Sequence, residues 1–525
     1  MIFGKGERRR TIRTSSENLT KSAEIAAFGK ARFNLVWHDI IYITLSEFQS
    51  QYMRRRKGLR FLYTAADKAV CFAEKTGGSL AQTERLFFFF VKIVFFFAFR
   101  WYNFRIILIR RNKMNGLTKF GYRVFQKSMW VAMWFLPWHQ NKGTLSGAGS
   151  IKQLPKWIKE KEGCTSALIV TDGGLYKLGI ADPIKEAFEK EGMKAVIYHD
   201  VVPNPTITNI EDGLRIYKEN NCDVIIALGG GSPMDCAKGI GARVMLPKKS
   251  VPQLKGVLKV TLGKPFGKLP PLVAIPTTSG TGSEATLAAV ISNPDTHEKY
   301  PINDPKIIPR YIVMDPELTI GLPPHITSTT GMDALTHAVE GYIGGENTAQ
   351  TKKDSVEAVQ LIHKYLKEAY EHGDNLEARN KMQYASFIAG RAFTRSYVGY
   401  VHAIAHTLGG HYGVPHGLAN AVILPYVLEA YGKSAHKKLA RLADCIGIQG
   451  KDDAEKANAF IQWIRDMNSS MNIPDKIRAK DGSQLIKEED LADCITKALH
   501  EANPLYPCPQ IWDRKEVEAI FRKIM

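Results

Sequence analysis

Short apolar runs and helix-period segments alternate through the middle of the chain. SALIVTD (166–172), KAVIYHD (194–200), DVIIALGG (223–230), PLVAIPT (271–277) and RYIVMD (310–315) are brief, rich in Val, Ile and Leu, and bounded by Gly, Pro or Asp, which predicts strands. Between the first two, DPIKEAFEKEG (182–192) repeats its apolar positions at helical spacing. Such alternation predicts a parallel sheet with crossover helices. After about Leu322 the strand signals stop, and from ITSTTGMDALTHAVEGY (326–342) onward the pattern is long and helical, with Thr327 to Thr330 as capping candidates. The expected organisation is an α/β domain over 150–322 and an all-α domain over 323–525, with the junction between them as a natural ligand cleft. Ahead of them, 114–149 reads as an amphipathic lead, RVFQKSMWVAMWFLPW (123–138), followed by a polar linker, NKGTLSGAGS (141–150).

The first 113 residues break this pattern. They carry RRR at 8–10 and again at 54–56, and the run LFFFFVKIVFFFAFRWYNFRIILIRR (86–111) with nine phenylalanines between Leu86 and Ile109. Its length matches the roughly 20 residues of a membrane-spanning helix. Lys92 and Arg100 interrupt it, however, and a charge near a helix centre costs about 2.5–3.5 kcal/mol on insertion scales. Three readings stand: an extension upstream of a true start at Met114, a segment that spans or lies on a membrane, and a packed element.

At 525 residues the chain exceeds a single core, so two or three domains are expected. A net charge of +19 invites a nucleic-acid or acidic-membrane partner. The excess is local: residues 1–113 hold 22 Lys and Arg against 8 Asp and Glu, whereas the rest holds 49 against 44. No basic patch interleaved with aromatics accompanies it, which sets nucleic acid aside. The seven cysteines are scattered without a C-x-x-C pair, which argues against a disulfide framework or thiolate zinc site and for a reducing, cytoplasmic compartment. The polar opening GKGERRRTIR is not a secretory signal.

Candidate chemistry gathers at two places. DVIIALGG leads straight into GSPMDCAKGIGAR, so Gly229, Gly230 and Gly231 sit where a strand turns into a helix, letting backbone approach a pyrophosphate at the helix N-terminus; a bare tight turn is the alternative. TTSGTGSEAT (277–286), after the strand PLVAIPT, offers small hydroxyls to a cofactor, or caps to the next helix. Asp172 ends the first strand, where a carboxylate accepts from an adenosine ribose and repels a 2′-phosphate, or simply caps a turn.

The second place is HAIAHTLGGHYGVPHG (402–417). His402 and His406 are spaced i, i+4 on a helix expected to stop at Gly409-Gly410, and His416 lies beyond that break. Upstream, Asp333 and His337 are also i, i+4 in an apolar setting. Polar faces inside an apolar domain need partners, and one carboxylate with two or three imidazoles suits Fe(II) or Zn(II). His411 falls off this face and reads as a surface or supporting histidine.

Taken together, GGGSPMDCAKGIGA (229–242), AIPTTSGTGSEAT (274–286), GMDALTHAVEGY (331–342) and the histidine stretch running into LANAVILP resemble, in order and spacing, the motifs of the iron-containing alcohol dehydrogenase family. The resemblance runs from about Ser150 to the C-terminus and includes VVPNPT (201–206) and NPLYPCP (503–509). It implies a Rossmann-like α/β nucleotide-binding domain followed by an all-α metal-binding domain, an architecture shared with dehydroquinate synthase. The implied metal ligands are Asp333, His337, His402 and His416, holding Fe(II), with Zn(II) as the alternative. His406 is then a non-ligand suited to proton relay. Implied NAD(P) contacts are Asp172, Asn204, Gly230, Gly231, Ser232, Thr277, Thr278 and Lys299; Asp235, Ser279 and Thr281, in the same stretches, join the candidates. Asp172 favours NAD(H) over NADP(H).

The expected activity is hydride transfer between nicotinamide and a primary alcohol, a diol or the matching aldehyde, in a homodimer or larger homo-oligomer. Two alternatives remain: a glycerol dehydrogenase-like polyol oxidation, whose relatives bind zinc through one Asp and two His, and a membrane-anchored protein with an inert dehydrogenase-like domain.

Overall fold

The computed structural model describes residues 114, 116–134, 141–264, 267–294 and 298–525. Residues 1–113, with all three readings given to them, lie outside the described residues. Among the described residues no helix is long and apolar enough to cross a membrane.

Six strands form one parallel sheet: β1 (Gly143–Ser146), β2 (Ser166–Asp172), β3 (Lys194–Val201), β4 (Val224–Gly229), β6 (Leu272–Pro276) and β9 (Tyr311–Met314), in the order β1-β9-β6-β4-β2-β3. All five strands expected from the sequence are in it. β4, β6 and β9 are buried along their whole length, as strands covered on both faces must be, which explains their unbroken apolar runs. Alternate residues feed two cores. Leu168 and Val170 pack with Ala237 and Ile240 of α6 (Gly231–Met245) on one face; Ala167 and Ile169 pack with Ile158 of α2 (Leu154–Glu162) and Phe188 of α4 (Ala181–Lys190) on the other. α1 (Gly116–Trp134), α3 (Gly173–Lys177), α5 (Ile207–Glu219) and α7 (Lys259–Gly263) complete this half.

Two features depart from expectation. NKGTLSGAGS is not merely a linker, because Gly143–Ser146 pairs in parallel with β9 and forms the sheet edge. Its four residues alternate between intermediate and exposed, so they lack the apolar run that marks the inner strands. A second, three-stranded sheet, β5 (Gly256–Val257), β8 (Glu298–Asn303) and β7 (Ala288–Asn293), includes an antiparallel pair.

The strands end at Met314, and the helices α8 (Pro324–Ile343), α9 (Ala349–Glu371), α10 (Leu376–Ser396), α11 (Tyr400–Tyr412), α12 (His416–Tyr431), α13 (Lys433–Cys445), α14 (Asp453–Ser470), α15 (Leu491–Ala502) and α16 (Arg514–Ile524) follow. α8 is central, buried from Gly331 to Ile343 and packed against α9, α10 and α12. It starts earlier than the capping reading implied. Thr327 to Thr330 lie inside it; Thr329 and Thr330 donate back to His325 O and Ile326 O at 2.7 Å, so their hydroxyls are satisfied without capping. α11 likewise runs through Gly409 and Gly410 to Tyr412 and ends at Gly413, whose φ of 68° is the left-handed C-terminal turn. Glycine in a helix interior costs about 1 kcal/mol relative to alanine, which the burial of residues Tyr400 to Ala405 outweighs.

The α/β half and the helices meet at two glycines. Gly282, at φ 59°, lies against Gly390 of α10 so closely that a Cβ on Gly390 would stand 2.7 Å from the Gly282 carbonyl oxygen. Leu287 N donating to Thr394 Oγ1 at 2.9 Å and Gln383 Nε2 donating to Pro276 O at 3.0 Å reinforce the contact. Since neither partner in a backbone–backbone contact can rotate away, Gly390→Ala is expected to destabilise the protein by about 1–3 kcal/mol, measured by denaturant unfolding. An unchanged midpoint would show that the halves slide freely here.

Candidate active site

α8 presents Asp333, His337 and Glu340 at i, i+4 and i+7, one buried face of one helix. α11 contributes His402, and α12 opens with His416, so the turn at Gly413 brings that histidine back toward α8. Asp333 Oδ1 lies 4.0 Å from His337 Nε2, 4.0 Å from His402 Nε2 and 3.5 Å from His416 Nε2. One donor atom from each of the four residues falls within 4.8 Å of all the others. A tetrahedral cation with bonds of about 2.1 Å separates its donors by roughly 3.4 Å, so small rotations of these side chains suffice.

The donors are prepared for a cation. Burial lowers the pKa of His337, lowers that of His402 well below the usual imidazole range, and lowers that of His416 as well, so all three offer neutral lone pairs at pH 7. His402 Nδ1 is bound to Glu340 Oε2 at 2.6 Å, which leaves Nε2 to face Asp333. Glu340 itself accepts from Gly399 N and Val401 N, both at 2.9 Å, and burial raises its pKa to about 7. The Asn420 amide, one turn past His416, donates to Asp333 Oδ1 at 2.6 Å and borders the same donors. His337 stacks on Phe393 at 4.2 Å between centroids. The set fits a divalent metal: one carboxylate, three neutral imidazoles and a carboxylate anchoring one of them.

His406 is not in this set. Its Nδ1 meets Glu501 Oε1 at 2.5 Å, and its ring stacks on His416 at 5.0 Å. His411 pairs with Asp490 at 3.3 Å, away from the donors.

Most of the candidate cofactor residues line the carboxyl ends of β2, β4 and β6, neighbouring parallel strands, which is where open α/β sheets bind ligands; Asn204 follows β3, and Lys299 lies in β8 of the second sheet. Thr277 N donates to Gly229 O at 3.1 Å, tying the two loops together. A Cβ at Gly230 or Gly231 would stand 3.3 and 3.2 Å from Thr278 and Thr281, respectively, so the bare backbone there leaves those threonines unshifted. Ser279 is buried in the same loop. Asn204, held at φ 59°, donates its N–H to Ser232 Oγ at 3.2 Å and accepts from Lys299 Nζ at 2.6 Å. Asp172 caps α3, its Oδ1 accepting from Gly174 N and Leu175 N at 2.9 and 3.0 Å. Asp235 is engaged within the protein by Ser283 Oγ at 2.8 Å and Val290 N at 2.9 Å.

Beside Asp235, the fully buried Lys238 donates to Ser283 Oγ, Thr286 Oγ1 and Ala288 O at 2.8, 3.0 and 2.7 Å, and burial pulls its pKa down to about 8. This amine locks the glycine-led helix α6 to the Thr277–Thr286 loop.

Models of the iron-containing alcohol dehydrogenase family match residues 141–316, and its C-terminal part 327–525. The chain is 38% identical over 413 residues to alcohol dehydrogenase 4 of Schizosaccharomyces pombe, covering 76% of this chain and 90% of that one. It is 39% identical over 365 residues to 1,3-propanediol dehydrogenase of Klebsiella pneumoniae, covering 69% and 92%. The solved structure of an alcohol dehydrogenase from Oenococcus oeni superposes with a TM-score of 0.68 at 34% identity, covering 73% of this chain and 98% of that one.

The chain belongs to the iron-containing alcohol dehydrogenase family.

Within this family member, Glu340, Asn420, Lys238 and Glu501 escaped the sequence reading. Glu340 was within reach of it, standing on the same helical face as Asp333 and His337. Glu501 was not, being 95 residues from His406. Because Glu340 fixes the ring of His402, Glu340→Gln is expected to weaken metal affinity about 10- to 100-fold, read by chelator competition on refolded, reloaded protein. Affinity within twofold of the parent would mean Glu340 supports only the fold.

Proposed function

We propose that this protein is a metal-dependent, NAD(H)-linked alcohol dehydrogenase and aldehyde reductase acting on small primary alcohols, diols or their aldehydes. The observation that carries the reading is the convergence of Asp333, His337, His402 and His416 at the junction, with the glycine and threonine loops on the α/β side. Those four residues would hold Fe(II), or Zn(II), which supplies Lewis-acid polarisation of the substrate oxygen.

The remaining steps belong to the chain. The N-terminus of α6, opened by Gly230, Gly231 and Ser232, would receive the pyrophosphate of NAD, flanked by Thr277, Thr278, Ser279 and Thr281. Asn204 and Lys299 border the same end, and Asp235 supports it through Ser283. The second oxygen of Asp172 would accept from the adenosine ribose and repel a 2′-phosphate, favouring NAD(H). His406 takes the hydroxyl proton as the alcohol is oxidised and returns it as the aldehyde is reduced.

Residues 150–322, extended to include β1, would form the cofactor-binding domain, and 323–525 the catalytic one. A reducing, cytoplasmic setting and a homodimer or larger homo-oligomer complete the proposal, supported by the scattered cysteines and by family resemblance. A two-histidine zinc site of the glycerol dehydrogenase kind is disfavoured because three histidines, His337, His402 and His416, converge with Asp333. An inert domain is disfavoured because all four donors are present and converge.

Full-length protein, purified anaerobically, stripped of metal and reloaded with Fe(II) or Zn(II), is expected to oxidise NADH in the presence of propanal. His402→Ala should abolish both turnover and metal retention. Equal rates with and without metal would overturn the reading.

A further inference from the structure

We propose that Glu501, gripped by Tyr506, is the positioning residue for His406: it holds the Nδ1–H tautomer of that ring so that Nε2 is the nitrogen that exchanges protons with substrate. The inference rests on the proton-transfer role assigned to His406.

Glu501 Oε1 lies 2.5 Å from His406 Nδ1 and accepts a second hydrogen bond, at 2.8 Å, from Tyr506 Oη. A carboxylate accepts and does not donate, so the ring nitrogen beside it carries a proton, and in the neutral ring it is therefore Nε2 that keeps the lone pair. When Nε2 takes a proton from an alcohol, the imidazolium forms against a negative charge already in place; when Nε2 returns the proton to a reduced aldehyde, the ring reverts to the tautomer Glu501 selects.

Both partners are held from outside the histidine helix. Glu501 stands in the last turn of α15, where the exposed carbonyl end of a helix disfavours a carboxylate, so local helix energetics do not account for it. Tyr506 follows in the loop, and its carbonyl accepts from Gln126 Nε2 of α1 at 2.8 Å, while Arg123 Nη2 of α1 donates to Pro509 O at 3.0 Å. The side chains of His406 and Glu501 are 26% and 30% exposed, so the pair also opens a way to water for the proton. The metal ligand His402 is anchored in the same manner through Glu340, which shows one device used twice on α11 for two different tasks.

The test compares Glu501→Gln, Glu501→Asp and Tyr506→Phe with the parent full-length enzyme. In zinc-loaded protein labelled with 15N-histidine, the His406 signals, assigned by their loss in His406→Asn, are expected to show a protonated Nδ1 and a bare Nε2. Glu501→Gln should blur that preference and lower kcat on the order of tenfold to a hundredfold, with KM, metal content and melting temperature near the parent values. Glu501→Asp should recover part of the rate, and Tyr506→Phe should lose only a few-fold. An unaltered His406 spectrum with unaltered kcat in Glu501→Gln overturns the proposal, as does a rate loss that merely tracks lost metal or lost fold. If the parent enzyme shows no metal-dependent NADH oxidation, the functional reading fails, while the His406 spectrum still decides whether Glu501 sets the tautomer.

Discussion

Four lone-pair donors from three helices meet at the junction of the two halves, three of them buried and His416 partly exposed, and much of the site follows from satisfying them. A buried carboxylate beside unprotonated imidazoles costs several kcal/mol unless something positive shares their lone pairs. Burial keeps the imidazoles neutral, and Glu340 keeps His402 turned inward. The burial of α8 from Gly331 to Ile343 holds Asp333, His337 and Glu340 in close-packed surroundings, where side-chain rotation is small.

The same constraint explains the junction. The proposed function needs the metal-donor cluster in one half and the candidate nucleotide loops in the other to keep a fixed spacing. Gly282 against Gly390 sets it by direct backbone contact, with no side chain to vary in length. Lys238 extends the rigidity into the α/β half, binding α6 to the loop that reaches Gly282. The seam between the α/β half and the helices is built from small residues and buried hydrogen bonds.

Around the cluster, histidines of similar sequence setting take different roles because of what holds their second nitrogen. His402 is bound through Nδ1 to a fully buried carboxylate and looks inward; His406, one turn on, is bound through Nδ1 to a partly exposed one. His411, paired with Asp490 on the surface, joins neither. Spacing on a helix gives each ring its face, and the carboxylate it meets fixes which of its nitrogens is left free.

Much of this was legible before any coordinates. The inner strands announce themselves because both faces of a parallel sheet are covered, which demands unbroken apolar runs. Asp333 and His337 stand out as candidate donors because i, i+4 spacing puts both on one face of a helix that is otherwise apolar, whereas the full set of four comes from the family resemblance. What stayed hidden depends on contacts that no local pattern encodes. The edge strand Gly143–Ser146 has one neighbour among the described residues and so needs no apolar run. α11 outlasts Gly409-Gly410 because tertiary burial exceeds the intrinsic cost of those residues. Glu501 reaches His406 across 95 residues and Gln126 reaches Tyr506 across 380, so those pairings exist only once the helices have packed. Periodicity and motif spacing determined which segments are strands or helices and which polar residues are candidate donors; the packing of α8, α11 and α15 decided which carboxylates His402 and His406 meet, because that choice is made by long-range geometry.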